Sequence, residues 1–147
     1  MSKYKVIATE YTDKAALIAA LLAAGIPYEA HGAPATLYGY QGDPRQEKAH
    51  VIVRRAHIGS ASNDLGWVWD EAAGAYRAIV SQYDLSCAPT TRIRNQVRQE
   101  YAVNKVVKEA RKRGLRVERE TDATGQIRLR LKGQIRGRAR ARVGTGR

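Results

Sequence analysis

The sequence predicts an α+β fold, a mainly antiparallel sheet in the order β-α-β-β-β-β-α-β-β with two helices packed on one face. Three observations carry this. Short runs of β-forming residues alternate in polarity, turn residues separate them, and two longer segments repeat apolar residues at helical spacing. Strands joined by tight turns must pair antiparallel, because a parallel crossover needs a dozen or more residues.

The elements follow in order. Lys3 to Glu10 (KYKVIATE) reads as a first strand. Thr12-Asp13 then offers a short side-chain oxygen to cap a helix, and Leu17, Ile18, Leu21 and Leu22 form its apolar stripe up to Gly25. Pro27 prevents continuation. A short extended stretch near Tyr28 is expected, then strands at Thr36–Tyr40 and Ala49–Arg54, separated by the turn chemistry of Gly42-Asp43-Pro44. The segment His57 to Asn63 is rich in small residues and reads as a loop. Asp64–Asp70 and Ala75–Val80 bracket Glu71 to Gly74 as a hairpin, with Leu65, Trp67 and Trp69 on one face. After a loop through Pro89, Ile93, Val97, Tyr101, Val107 and Ala110 mark a helix over Thr91–Arg113, ended by Gly114. Leu115–Arg119 and Gln126–Leu131 form a last hairpin. In it Ile127, Leu129 and Leu131 point one way and Arg128, Arg130 and Lys132 the other.

A chain of 147 residues with 44% hydrophobic and 27% charged residues has the makings of one ordinary core. Residues 1–132 are expected to form a single domain, and 133–147 a basic, flexible tail. No apolar run reaches the roughly 18 residues of a membrane span, and the start lacks a signal peptide's apolar centre, so a cytoplasmic protein is expected. Cys87 is the only cysteine, which leaves no internal disulfide and no thiolate cluster; a buried, inert thiol is the expectation. His31, His50 and His57 lack metal-ligand spacing, so no metal or cofactor is expected. Gly39 and Gly42 are not followed by Gly-Lys-Ser/Thr, which excludes a phosphate-cradling loop and leaves a turn. Asp64 and Asp70 have no base beside them and read as strand-end caps. With no nucleophile elbow or paired histidines either, the protein is expected not to be an enzyme.

Charge is the informative quantity. Lysine and arginine total 26 against 14 acids, a net charge of +12. Such a field favours polyanionic partners. Half of the excess lies in the acid-free stretch Lys132 to Arg147. Along the second helix and just beyond, Arg92, Arg94, Arg98, Lys105, Lys108, Arg111, Lys112, Arg113 and Arg116 are opposed only by Glu100 and Glu109. The bases of the last turn complement the helix dipole, but like charges at i,i+4 repel, so folding alone does not explain the rest.

Several segments together resemble the hypothetical chloroplast reading frame thirty-five family of plastids and cyanobacteria, which is filed as a domain of unknown function and has relatives in phage genomes. The likeness runs through Gly39-Tyr40-Gln41-Gly42, Ala49 to Arg54, Asp64-Leu65-Gly66-Trp67, Tyr76, Tyr101-Ala102, Gly114-Leu115 and Gly125-Gln126-Ile127-Arg128-Leu129. The ordered set spans roughly Tyr4 to Leu131. The loop at Gly59–Asn63 and the basic tail depart from the family pattern. The resemblance implies a fold and no assigned reaction.

The expected function is therefore a non-catalytic, nucleic-acid-binding accessory protein that contacts phosphates of DNA or RNA. The expected contacts are Arg94, Arg98, Lys105, Lys108, Arg128 and Arg130 on the folded surface and Arg136, Arg138, Arg140 and Arg142 in the tail. Tyr38, Tyr40 and Tyr76 are candidates for base stacking. The alternative is an adaptor that docks an acidic protein surface of a larger assembly. Neither involves a membrane.

Overall fold

A computed structural model describes residues 3–133. The elements are β1 (Tyr4–Ala8), α1 (Lys14–Ala23), β2 (Glu29–Tyr38), β3 (Pro44–Val53), β4 (Leu65–Asp70), β5 (Ala75–Ser81), α2 (Ala88–Lys112), β6 (Arg116–Thr121) and β7 (Ile127–Lys132). This is the α+β order that the sequence predicts. The chain divides into two compact units, Met1–Tyr101 and Ala102–Arg147, with the boundary inside α2.

In the first unit, an antiparallel sheet has the strand order β1-β5-β4-β3-β2. The Asp13 carboxylate accepts the Ala16 N–H at 3.2 Å and starts α1. Gly25, at φ +72°, ends it. There the Ile26 N–H reaches the Leu21 carbonyl and the Gly25 N–H the Leu22 carbonyl, which satisfies two orphan acceptors of the last turn.

The core lies between one sheet face and the helices. Leu17 and Leu21 of α1 and Ile93, Val97 and Tyr101 of α2 pack with Val51, Val53, Leu65, Trp67, Ala78 and Val80. Each large aliphatic side chain buried there contributes about 1.5–3 kcal/mol. Tyr101 also acts as a pin, its ring 4.5 Å from that of Tyr11 and its hydroxyl oxygen accepting the Thr12 and Asp13 N–H groups. The opposite sheet face buries a smaller cluster of Tyr4, Leu37, Ala49, Ile52 and Ile79.

Three boundaries differ from the sequence reading. β2 is one bulged strand beginning at Glu29, with register shifts between Ala30 and Ala35 and between Thr36 and Tyr38. β3 begins at Pro44, five residues before the predicted Ala49. Its first half carries no apolar alternation because Arg45 does the covering, its guanidinium 5.1 Å above the Tyr4 ring. α2 begins at Ala88 rather than Thr91, with Pro89 in the first turn, where a missing N–H costs nothing.

In the second unit, β6 and β7 form a separate two-stranded antiparallel sheet. Its turn is held by Asp122, whose carboxylate accepts the Thr124 and Gln126 N–H groups, each at 2.9 Å. Val117 pairs with Leu131, Arg119 with Leu129 and Thr121 with Ile127 on one face; Arg116 with Lys132, Glu118 with Arg130 and Glu120 with Arg128 occupy the other. Among the described residues, no helix is long and apolar enough to cross a membrane.

Candidate functional site

A cleft of about 440 Å³ opens in the first unit between the end of β1 and the first half of α2. Its floor is a row across three neighbouring strands, in which Ile7 pairs with Ala78 and Ala78 with Trp67. Ala78 is small between two larger neighbours, so the row dips in the middle. The wall is one flank of α2. Thr91, Arg94, Asn95 and Arg98 recur at the spacing that puts residues on one helix face, beside the buried stripe of Ile93 and Val97. Ala8, Thr9, Glu10 and Tyr11 complete the rim.

The electrostatics follow from this geometry. Arg98 is exposed and held by its own helix, its Nη2 donating to Asn95 Oδ1 at 2.9 Å. Burial pushes the Tyr11 phenol above its ordinary pKa, against the pull of the Arg98 and Arg94 guanidiniums. Both cations therefore project their field to the rim. Glu10 is the one carboxylate among the residues lining the cleft. The arrangement is amphipathic, an apolar floor behind two guanidiniums and several neutral hydrogen-bonding groups.

Of the residues singled out in the sequence, the structure brings Arg94 and Arg98 together in this cleft. Lys105 and Lys108 are exposed further along α2, in the second unit. Arg128 and Arg130 are exposed on β7, but the strand opposite supplies acids. Arg130 lies 3.1 Å from Glu120 and Lys132 lies 3.3 Å from Glu118, so that face is mixed in charge. Arg136, Arg138, Arg140 and Arg142 lie outside the described residues.

Tyr38 and Tyr40 are 40% and 45% exposed, and neither lines the cleft. The Arg54 guanidinium sits 5.6 Å over the Tyr38 ring. Tyr76 is a correction to the stacking set. It is buried against Trp69, their rings edge to face at 5.1 Å, and has no face to offer a base.

The other polar concentration is a structural knot. The buried Asp64 carboxylate accepts the Tyr38 N–H at 2.8 Å, the Arg55 N–H at 2.7 Å and Arg54 Nη1 at 2.8 Å. Arg54 also grips Glu29 with two parallel bonds of 2.8 and 2.7 Å, and those bonds hold the Glu29 carboxyl down at about 2. Asp70 accepts the Ala72 N–H at 3.0 Å in its turn and pairs with Arg77. Both strand-end acids are thus engaged in local structure. Gly39-Tyr40-Gln41-Gly42 is a turn closed by the Gly39 N–H on the Asp43 carbonyl. Cys87 is half-buried rather than fully buried, its thiol donating to the Tyr83 carbonyl. His50 accepts the Trp69 N–H at 3.1 Å, and burial lowers its pKa.

Sequence reasoning missed Thr9, Thr91, Asn95 and Ala78 as parts of a site. The α2 flank was legible in principle from its 91, 94, 95, 98 spacing. The floor was not, because the row Ile7–Ala78–Trp67 exists only once the strand order is known.

The fold and the cleft define a small, basic α+β protein with an amphipathic, arginine-lined groove. The family model described as protein of unknown function, DUF1257, matches residues 20–130, and the chain belongs to this family. No curated protein and no solved structure matches the chain.

Proposed function

We propose that this protein is a non-catalytic, nucleic-acid-binding accessory protein that contacts phosphates through arginine. The observation that carries the reading is the pairing of Arg94 and Arg98 on one helix face above an open cleft. Guanidiniums one turn apart repel in the free protein, and a phosphate between them relieves that repulsion while accepting charge-assisted hydrogen bonds. The net charge of +12 supplies long-range attraction for any polyanion. Lys105, Lys108, Arg128, Arg130 and the tail residues Arg136, Arg138, Arg140 and Arg142 extend the basic set, and Tyr38 and Tyr40 offer exposed rings.

The setting proposed is cytoplasmic, with kinship to the plastid, cyanobacterial and phage proteins that the motif order resembles. The test is retention of fluorescent single-stranded, duplex and RNA oligonucleotides as salt is raised. Log K should fall linearly with log salt, by about 0.9 per phosphate contact on duplex and 0.7 on single strands. Absence of binding near 50 mM salt would sink the reading.

One observation favours the adaptor alternative. Among the described residues β1 pairs only with β5, so its other side is the end of the five-stranded sheet. Such an edge is a template for an added strand, and the exposed Lys3 and Lys5 would favour an acidic one. Binding of an acidic partner with no oligonucleotide binding would select this reading.

A further inference from the structure

We infer that the cleft between β1 and α2 takes an unpaired nucleotide, and that the protein therefore prefers single-stranded nucleic acid to duplex. The inference rests on the nucleic-acid reading and narrows its substrate class.

Two features point to it. The first is shape. A volume of about 440 Å³ lies in the range of pockets that enclose a small organic ligand, roughly 300–1,000 Å³. A duplex is a convex rod that presents phosphates and sugars outward and keeps base faces stacked inside, so it can touch the rim of such a cleft but not fill it. The second is the order of chemistry with depth. The guanidiniums of Arg94 and Arg98 stand on the wall, the neutral polar groups of Thr91 and Asn95 beside them, and Ile7, Ala78 and Trp67 form the floor. A nucleotide has the same sequence of chemistry, a phosphate at one end and an apolar, hydrogen-bond-edged base at the other. Duplex binding through phosphates would use the arginines and leave the floor wet. Ala78 and Trp67 are each 2% exposed and close the bottom of the cleft, so a base would meet the apolar surface of Ile7 and Ala8 above them, and the small Ala78 is assigned as the residue that sets the depth of the site.

The experiment measures fluorescence anisotropy of the full chain with a 12-nucleotide single strand and with a hairpin duplex of the same composition, near 50 mM salt. The wild type should bind the single strand at least tenfold tighter. Ala78→Val, which fills the dip with a residue suited to a strand, should erase most of that preference while duplex binding stays within twofold. Arg94→Gln with Arg98→Gln should weaken single-strand binding by tenfold or more. Thermal melting should be unchanged in the arginine variant, whereas Ala78→Val, at a core position 2% exposed, should melt several degrees lower and still be folded at the assay temperature. If Ala78→Val does not fold, Ala8→Leu at the exposed rim replaces it with the same expectation. Equal or tighter duplex binding would overturn the inference and leave the nucleic-acid reading standing. A single-strand preference that survives both the floor and the arginine variants would place the contact elsewhere and also overturn it. Failure to bind either oligonucleotide would remove the underlying reading itself.

Discussion

Gly66 on β4 and Ala49 on β3 approach so closely that a Cβ at position 66 would lie 2.5 Å from the Ala49 Cβ and 3.1 Å from Leu37 Cδ2. The smaller core cluster closes only because position 66 has no side chain. Gly66→Ala should cost about 1–3 kcal/mol through overpacking, visible as a melting temperature several degrees lower. An unchanged melting temperature would show that the β3 side of the contact yields freely.

Asp64 is the second structural point. Asp64→Ala leaves the Tyr38 and Arg55 N–H groups without their acceptor and takes the carboxylate from Arg54 Nη1, which keeps the Thr36 carbonyl, at a site 1% exposed. A loss of about 3–5 kcal/mol in urea denaturation is expected. Asp64→Asn should recover part of it, since the amide oxygen can still accept but no longer neutralises Arg54.

The Glu29–Arg54 pair predicts a pH dependence. Pairing holds the Glu29 carboxyl near 2 in the folded protein, against an ordinary value of 4.5. The folded state thus binds the proton less readily, so the pair's contribution is complete above 4.5 and disappears as pH falls toward 2. Glu29 is 41% exposed, and solvent screening keeps the contribution to about 1 kcal/mol or less. Glu29→Gln should be less stable than wild type at pH 7, with the gap closing between pH 4.5 and 2. A gap that stays constant over that window would remove the ion pair as its cause.

In the core, Leu21→Ala should cost about 2–5 kcal/mol and Val97→Ala a value near the low end, since both side chains are fully buried. Chemical denaturation of the two variants measures this directly. A cost below about 1 kcal/mol at either position would show that the helices repack without them.

The mixed charge of the β6–β7 hairpin separates it from the cleft as a binding surface. If phosphates contact that face, Glu118→Gln with Glu120→Gln should tighten oligonucleotide binding. Arg128→Gln with Arg130→Gln should lower the salt slope by up to about 2. If both pairs of changes leave the salt titration unaltered, the hairpin makes no contact. Deleting residues 133–147 removes Arg136, Arg138, Arg140, Arg142 and Arg147 and should lower the slope by several units without lowering the melting temperature.

Element order was legible because each element carries a local signal. Asp13 and Gly25 bracket α1, and the alternation Leu65, Trp67, Trp69 marks β4. What failed was local in another way. The first half of β3 is polar because Arg45 covers a tyrosine from another strand, a contact no window of sequence contains. The same limit hid the site. Arg94 and Arg98 were visible as charges, but Ala78 gains meaning only from its neighbours Ile7 and Trp67 on other strands.

The sheet order also constrains how the chain reaches this structure. β1 is the first of the described strands, yet among the described residues it pairs only with β5, Tyr4 opposite Ser81. Closing a loop of that length costs roughly 4 kcal/mol of chain entropy before any pairing offsets it. The β2–β3, β3–β4 and β4–β5 pairings are each between consecutive strands and close far shorter loops. The four-stranded meander can therefore assemble first, with β1 joining as its late fifth strand. The cleft floor needs Ile7 beside Ala78, so the groove beneath the arginines exists only where β1 has paired with β5.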